Sequence, residues 1–464
     1  MPRPTLSTLP VEILNAICTQ LCSHCKDAEQ NESVQRGSTS YRFPSLVGTS
    51  QDPVETRALI NLARTCQALY HIVTQFAYHD LHVGSCRTPR LIKFAQSSLA
   101  RPVLRQHVRR LYIEANVFPP GPNWLHIEQW TRRLGMCRDH PHLHFWDPPI
   151  DKEEFDFDDV GSFDGSDDDD SAEYPKRLQE SHAVLVDVFL TLFSNVSRLA
   201  LDLTPGAIHG DFLPALTTLD SLRHLTLCAY TQVHELTGPY NMRGLEHLLK
   251  KAANLDTLEI KAPVISAHPL SLGNLKSLKL FDSLLSLEDL KNLCRQCLRL
   301  EVFTYTYSIA PSIYDIGKDF RLEELPQTLV SLKGTLRCLA VFWQPKTPFS
   351  VDHYISSFKD FTALTALVLG GKSLHLCESP MDSSLVRLLP PSIETVTLDG
   401  QHLGVYEPIF TLAKEAKAGS FPSLKTLRQT GFEPDSSSNP VKTLKETMED
   451  SGISFETCPT SVFA

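Results

Sequence analysis

Two C-x-x-C pairs are the strongest metal-ligand spacings in this sequence. They are Cys22 with Cys25 and Cys294 with Cys297. A zinc site needs about four ligands, so each pair would need a partner pair elsewhere in the fold. Cys294 and Cys297 share the inward face of a predicted helix, where core packing is expected. Cys22 and Cys25 end an amphipathic helix; we predict no metal there, with zinc as the alternative.

A second group of potential ligands lies in the middle of the chain. Cys137, His140, His142 and His144 have the density of a metal site, and nearby acids could add oxygen ligands. A solvated loop is the prediction that we favour, and metal binding is the alternative. Further along, Gly370–Ser373 invites comparison with a phosphate-binding loop. That motif needs another glycine at a position where this chain has alanine, so we predict a plain turn after a strand.

The net charge of −10 comes from one local stretch. Residues 151–173 contain twelve acids and one base, and without them the chain keeps 42 acidic and 43 basic side chains. A balance so close to neutral gives no reason to expect a nucleic-acid partner. The stretch lacks the ligand spacing of an EF-hand, since Val160 occupies the fifth ligand position counted from Asp156. Low hydrophobicity and dense like charge predict disorder over residues 119–177, and Ser166 is a candidate target for an acid-directed kinase.

No catalytic signature stands out in the sequence. There is no nucleophile elbow, no H-E-x-x-H and no dinucleotide-binding glycine fingerprint. We therefore predict a non-catalytic protein without a cofactor, and an enzyme with an unrecognised site is an alternative. The first ten residues lack the apolar core of a signal peptide, and the apolar run 183–193 is too short to span a bilayer. The twelve cysteines are then expected as reduced thiols in the cytoplasm or nucleus, away from any membrane.

The elements that position these residues begin with a helix predicted over Leu6–Leu21. On a helical wheel its apolar residues, from Ile13 through Leu14 to Cys18, span about 140°. Packing against a single core requires a stripe of only about 100°. The helix is therefore expected to bury two sides, one against its own domain and one against something else.

A second helical pattern lies between residues 56 and 75. Its apolar residues, among them Leu59, Leu62 and Cys66, follow the i, i+3, i+4, i+7 spacing of one helical face. An aromatic segment, Phe76–Leu81, comes next. The polar stretch Cys22–Val54 separates the two helical patterns and is predicted to be a long loop inserted into one module.

The two patterns together resemble an F-box, the adaptor-binding module of cullin-RING ubiquitin ligases. The run Leu9–Leu14 with Ile17 and Leu21 resembles its opening, and the second helix with its central cysteine resembles the rest. The resemblance assigns residues 1–83 to an all-α module with a loop insertion over 22–54. It implies that one group of side chains contacts a Skp-family adaptor: Leu9, Pro10, Ile13, Leu14 and Ile17. A second group either joins that contact or closes the core of the module: Leu59, Leu62 and Cys66.

From Val108 onward a different pattern recurs, in which apolar residues are separated first by two positions and then by one. Its middle residues, from Leu199 to Leu427, are 20 to 36 positions apart, a spacing typical of stacked solenoid units. Helical patterns lie between the predicted strands. Such units resemble leucine-rich repeats. The asparagine or cysteine that often follows the strand in that family is missing here, so we expect an irregular solenoid.

The two resemblances together predict an α/β fold, with all-α F-box-like helices followed by a leucine-rich-repeat solenoid of short parallel strands alternating with helices. The expected parts are the module 1–83, a linker and first repeat 84–118, a disordered acidic insertion 119–177, the solenoid 178–458 and a tail 459–464.

This combination resembles a substrate receptor of a Skp–cullin–F-box (SCF) ubiquitin ligase. The resemblance implies a non-catalytic subunit whose N-terminal helices bind the Skp adaptor and, through it, the cullin complex. The repeats would then hold an unknown protein substrate near a ubiquitin-charged enzyme carried elsewhere in the assembly. A repeat-based interaction scaffold outside any ligase is the alternative from another class.

Overall fold

A computed structural model describes most of the predicted N-terminal helical module and most of the predicted solenoid. The described residues are 9–22, 25–26, 53–83, 88–113, 186–203, 218–229, 240–261, 264–266, 270, 272–281, 283, 285–307, 322–343, 355–371, 384–399, 406–430 and 439–458. The predicted acidic insertion 119–177, the tail 459–464 and most of the 22–54 loop lie outside these residues. The cluster Cys137–His144 and Ser166 lie outside them too.

Three helices form the N-terminal part: α1 (Val11–Leu21), α2 (Pro53–Ala63) and α3 (Gln67–Ala77). The single helix predicted over residues 56–75 is wrong, because the chain is extended at Cys66, which precedes α3 instead of lying in the centre of one helix. We call them the three-helix module. Pro10 precedes the first turn of α1, where a missing N–H is harmless because the first backbone N–H groups have no partner inside the helix. The helices pack around a small apolar cluster made of Leu14, Cys18, Cys22, Leu59, Leu69 and Val73.

A sheet of twelve parallel strands follows, and its strand order repeats the chain order. Sequential parallel neighbours with helical crossovers are the arrangement of a solenoid-like α/β fold. The strands of this main sheet are β1 (Asp80–Val83), β2 (Arg110–Ile113), β3 (Arg198–Leu203), β4 (His224–Ala229), β6 (Thr257–Lys261), β8 (Ser277–Phe281), β9 (Val302–Tyr307), β10 (Cys338–Trp343), β11 (Ala366–Gly371), β12 (Thr395–Asp399), β13 (Thr426–Thr430) and β14 (Ser454–Cys458). Two short strands, β5 (Tyr240–Asn241) and β7 (Val264–Ser266), pair separately.

Helices connect many of these strands. They are α4 (Thr88–Ala100), α5 (Pro102–Arg105), α6 (Glu246–Lys251), α7 (Leu287–Gln296), α8 (Leu325–Thr328), α9 (Ser384–Leu388), α10 (Tyr406–Lys417) and α11 (Asn439–Asp450), and residues 186–192 are also helical. Ser286 caps α7, its Oγ accepting a hydrogen bond from the Asp289 N–H at 3.1 Å. After α11, Gly452 has a φ of 76°, a conformation that glycine adopts without a Cβ penalty, and it leads into β14.

The repeat pattern predicts the strand positions correctly. Every predicted middle residue from Leu199 to Leu427 lies in the main sheet, and the ladders align them in one row. Helix α11 and strand β14, in which Phe455 lies opposite Leu427, continue the same alternation. The pattern does not predict β1, which pairs with β2 so that Leu81 lies opposite Leu111. The all-α part therefore ends before Asp80, slightly earlier than expected.

The main core lies on one face of the sheet. The aligned row and the apolar sides of the connecting helices form one large cluster, which is separate from the cluster inside the three-helix module. Cys294 and Cys297 belong to the large cluster, as predicted, and both are fully buried. Burial raises the pKa of the Cys294 thiol and raises that of Cys297 to about 12. No helix among the described residues is long and apolar enough to cross a membrane.

Candidate functional site

Helix α1 has one apolar side in the core and another in solvent. Leu14 and Cys18 are buried in the cluster of the three-helix module. Ile13 is 48% exposed, Pro10 is exposed and Ile17 is half-buried. On a helical wheel with Leu9 at zero, the buried Leu14 and Cys18 lie at about 140–180°. Pro10, Ile13 and Ile17 lie at about 40–100°. The wide apolar arc thus divides into a packed side and an open side.

The eight residues assigned to adaptor contact divide between these two environments. Leu14 and Leu59 are buried in the core of the module. Leu9, Leu62 and Cys66 are half-buried and pack against that core. Leu59, Leu62 and Cys66 thus contribute to the packing of the module, and their contact with an adaptor stays a prediction. The open side of α1 is left to Pro10, Ile13 and Ile17.

Exposed apolar surface is concentrated in the three-helix module. Seven large apolar side chains are exposed among the described residues, and four of them lie on α1 to α3: Val11, Ile13, Ile60 and Tyr70. The sheet and its connecting helices, which form most of the described chain, supply the other three. Clustered exposed apolar residues mark interaction surfaces more often than single scattered ones do.

The other candidate surface is the strand face, by which we mean the side of the main sheet opposite the main core. Its polar section spans β2 to β8 and carries a buried ion-pair group. Glu259 is only 3% exposed, and its carboxylate lies 2.5 Å from the Lys261 ammonium and 3.7 Å from that of Lys279. Burial raises the pKa of Glu259, but the two lysines outweigh it and lower the net value. The carboxylate therefore stays ionised and pairs with both cations.

His224 lies on the same face, one strand away from Glu259. Burial lowers the pKa of His224 to about 4, assisted by the positive charges of Arg198, Lys279 and Arg110 and opposed by Glu259. Because the pKa of the unfolded histidine is about 6.5, the unfolded chain binds the extra proton between pH 6.5 and 4. Folded stability should therefore fall as the pH drops through that window.

We expect protonation linked to His224 to lower the free energy of unfolding by about 2 kcal/mol at pH 4, less than the full pKa shift would give because the residue is only partly buried. The measurement is the difference in unfolding free energy between the wild type and His224→Gln as a function of pH. That difference should change between pH 6.5 and 4 and stay flat from pH 7 to 8. A flat difference over the whole range contradicts the assignment.

The strand face changes character over β10 to β12. Cys338, Ala340, Ala366 and Val368 point away from the main core and are nevertheless buried. Strands buried on both faces are typical of parallel sheets. On this face β10 and β11 carry small or apolar residues, whereas β12 carries the buried Thr395, Thr397 and Asp399. This section of the face is therefore closed to a large partner, and the polar section over β2 to β8 is the more accessible part.

The sequence pattern contained a signal for the polar section. Glu259 and Lys279 each stand between two apolar residues of a predicted strand, so alternation puts them opposite the core side. Two oppositely charged residues at the same place in successive repeats indicate a cross-strand pair.

A second group of side chains meets where the helices give way to the sheet. The sulfur of Cys22 lies 3.7 Å from Nδ1 of His79, and the sulfur of Cys25 lies 3.5 Å from the same nitrogen. All three atoms lie within 4.8 Å of one another. Burial lowers the pKa of His79 to about 4, with Arg109 and His107 adding to the effect, so the ring is uncharged at neutral pH.

The sequence alone could not supply this third ligand, because His79 lies 57 residues after Cys22 and 54 after Cys25. The phosphate-loop comparison, in contrast, is settled by local structure. Gly370 and Gly371 are the last residues of β11 and pair with Phe342 and Trp343 of β10. Residues 367–369, which would have to form the open loop, lie inside this strand, and the phosphate-loop alternative is thereby excluded. The predicted turn is wrong for Gly370 and Gly371, because both still belong to the strand.

Comparison with known proteins adds no identification: no family model matches this chain, and no curated protein matches it. Among the described residues, three features are candidates for a functional role: the open side of α1, the polar section of the strand face and the Cys22–Cys25–His79 group.

Proposed function

We propose that this protein is the substrate-recognition subunit of an SCF ubiquitin ligase. The three-helix module would dock on a Skp-family adaptor, and the solenoid, of the leucine-rich-repeat type, would hold a target protein. The protein itself would catalyse no reaction. Its contribution would be the raised effective concentration of target lysines near a ubiquitin-charged enzyme in the same assembly.

One observation carries the proposal. The open side of α1 presents Ile13 and Pro10 to solvent while Leu14 and Cys18 hold the helix to its own module. Pro10, Ile13 and Leu14 are among the residues that resemble the opening of an F-box. Burial of the open side against an adaptor would remove apolar surface from water. It would also explain why Ile13 is exposed, since packing within the chain gives this side chain no role.

For the target we propose the polar section of the strand face. The section over β10 to β12 is buried, whereas Arg198, His224 and Lys279 are only partly buried on the polar section. Affinity purification from cells with blocked proteasomes, followed by mass spectrometry, would identify the bound protein. Cullin and RING subunits in the same sample would support the ligase assignment.

Ile13→Asp tests the docking face directly. We expect at least a tenfold loss of adaptor co-purification, because a charge would replace an apolar side chain on the proposed docking face. The matched control is Leu298→Asp, which changes an even more exposed leucine, 65% exposed, on the turn after α7. That variant should keep the adaptor. Equal adaptor recovery with folded Ile13→Asp would contradict the docking role.

A non-ligase scaffold is the second candidate, and one observation favours it. Helix α3 ends at Ala77 and β1 begins at Asp80, so the module directly precedes the first edge strand of the sheet. Terminal units of solenoids need a cap over their exposed core. If the module only caps the sheet, the purified complex will contain target protein without adaptor, cullin or RING subunits.

A further inference from the structure

The Cys22–Cys25–His79 group joins separate parts of the fold. Cys22 follows the last residue of α1. The backbone N–H of Lys26 donates a hydrogen bond to the carbonyl of Cys22 at 3.1 Å, and Cys25 lies on the same side of the chain as Cys22. His79 lies between α3 and β1. Its carbonyl accepts hydrogen bonds from the N–H groups of Arg109 and Arg110 at 2.9 and 2.8 Å, which attach it to the beginning of β2.

The separations of the side-chain atoms fit a tetrahedral zinc ion. With Zn–S near 2.3 Å and Zn–N near 2.05 Å, a tetrahedral angle puts sulfur and nitrogen roughly 3.6 Å apart. The two observed distances, 3.7 and 3.5 Å, lie on either side of that value. Neither cysteine is held in a disulfide.

We propose that Cys22 Sγ, Cys25 Sγ and His79 Nδ1 bind one zinc ion. Among the described residues no further His, Cys, Asp or Glu joins the group. Each thiol releases its proton on binding, so two thiolates neutralise the charge of Zn²⁺ in a partly buried place. Two sulfurs and one imidazole favour zinc over calcium or magnesium, which require oxygen ligands.

Such an ion would attach the three-helix module to the sheet. It would link the end of α1 to the beginning of β1 across more than fifty residues, and closing a long loop in this way restricts the unfolded chain. The ion would also hold α1 in a fixed orientation relative to the sheet. This role is independent of what the module docks on.

The experiment uses the full-length protein, purified with reductant, loaded with excess zinc sulfate and separated from unbound metal. Mass spectrometry of the metal content should give about one zinc per chain for the wild type. Cys25→Ser should retain less than about a tenth of that amount. The control is Cys66→Ser, since Cys66 is also half-buried and packs against the same cluster but lies outside the ligand group. It should bind zinc as the wild type does.

Cobalt provides a second readout that does not depend on stability. Loaded with Co²⁺, the wild type and Cys66→Ser should show a thiolate-to-cobalt charge-transfer band, and Cys25→Ser and His79→Asn should show a weaker or altered one. A wild type that takes up no zinc under reducing conditions would overturn the proposal. So would equal zinc retention by folded Cys25→Ser, or a Cys22–Cys25 disulfide that persists in reductant.

Discussion

Replacing Glu259 by glutamine lowers the free energy of unfolding by about 3 kcal/mol. The glutamine has nearly the same shape but carries no charge, so the ammonium groups of Lys261 and Lys279 lose their carboxylate partner. Their side chains are only 9% and 20% exposed, which leaves little water to replace it. Removing one member of a buried ion pair is costly mainly because the other charge remains buried. Denaturant unfolding followed by circular dichroism gives the measurement.

The chain offers a matched control in the same row of the strand face. Glu456 lies opposite Arg428 in the ladder of β13 and β14, as Glu259 lies opposite Lys279 between β6 and β8. The distance between Arg428 and Glu456, 2.7 Å, is shorter than the 3.7 Å between Lys279 and Glu259, but Glu456 is nearly half exposed. Glu456→Gln should therefore cost less than about 1 kcal/mol. Equal costs for the two variants would mean that burial does not decide the strength of these pairs.

The strand positions could be predicted because each unit carries its own local signal. The signal is a set of three apolar residues, separated first by two positions and then by one. This spacing determines which side chains of the strand enter the core, whatever the rest of the chain does. Strand β1 was not predicted, because prediction depends on this local signal. Its residues, Asp80–Val83, contain only part of the pattern and follow directly on helix α3, so only pairing with β2 identifies them as a strand.

The candidate site was predictable in outline and not in detail. The wide apolar arc of α1 indicated two apolar sides, and Leu14 and Ile13 do lie on different ones. Which residues of the second helical pattern would be packed depended on how α2 and α3 lie against α1, and a linear pattern does not contain that information. His79 joins the cysteines through tertiary structure alone, and Glu259 is buried through its neighbours on other strands.

Leu69→Ala should destabilise the three-helix module while the sheet keeps its structure. Leu69 is 2% exposed and belongs to a cluster of only six buried residues, which is separate from the large core of the sheet. Truncation of a buried leucine removes its transfer free energy and leaves a cavity, a combined loss of about 3 kcal/mol. A small cluster has few other contacts to compensate. Hydrogen exchange should therefore accelerate in α1 to α3 and stay unchanged in β8 to β11.

Ile60→Ala is the control, since Ile60 belongs to the same module but is exposed, and it should change stability by no more than about 0.5 kcal/mol. Faster exchange throughout the main sheet of Leu69→Ala would show that the two clusters unfold as one unit. If exchange changes only in the module, loss of adaptor binding by Leu69→Ala would assign docking to the three helices and not to the solenoid. The same variant would then separate the two proposed tasks, because a target held by the strand face should still bind.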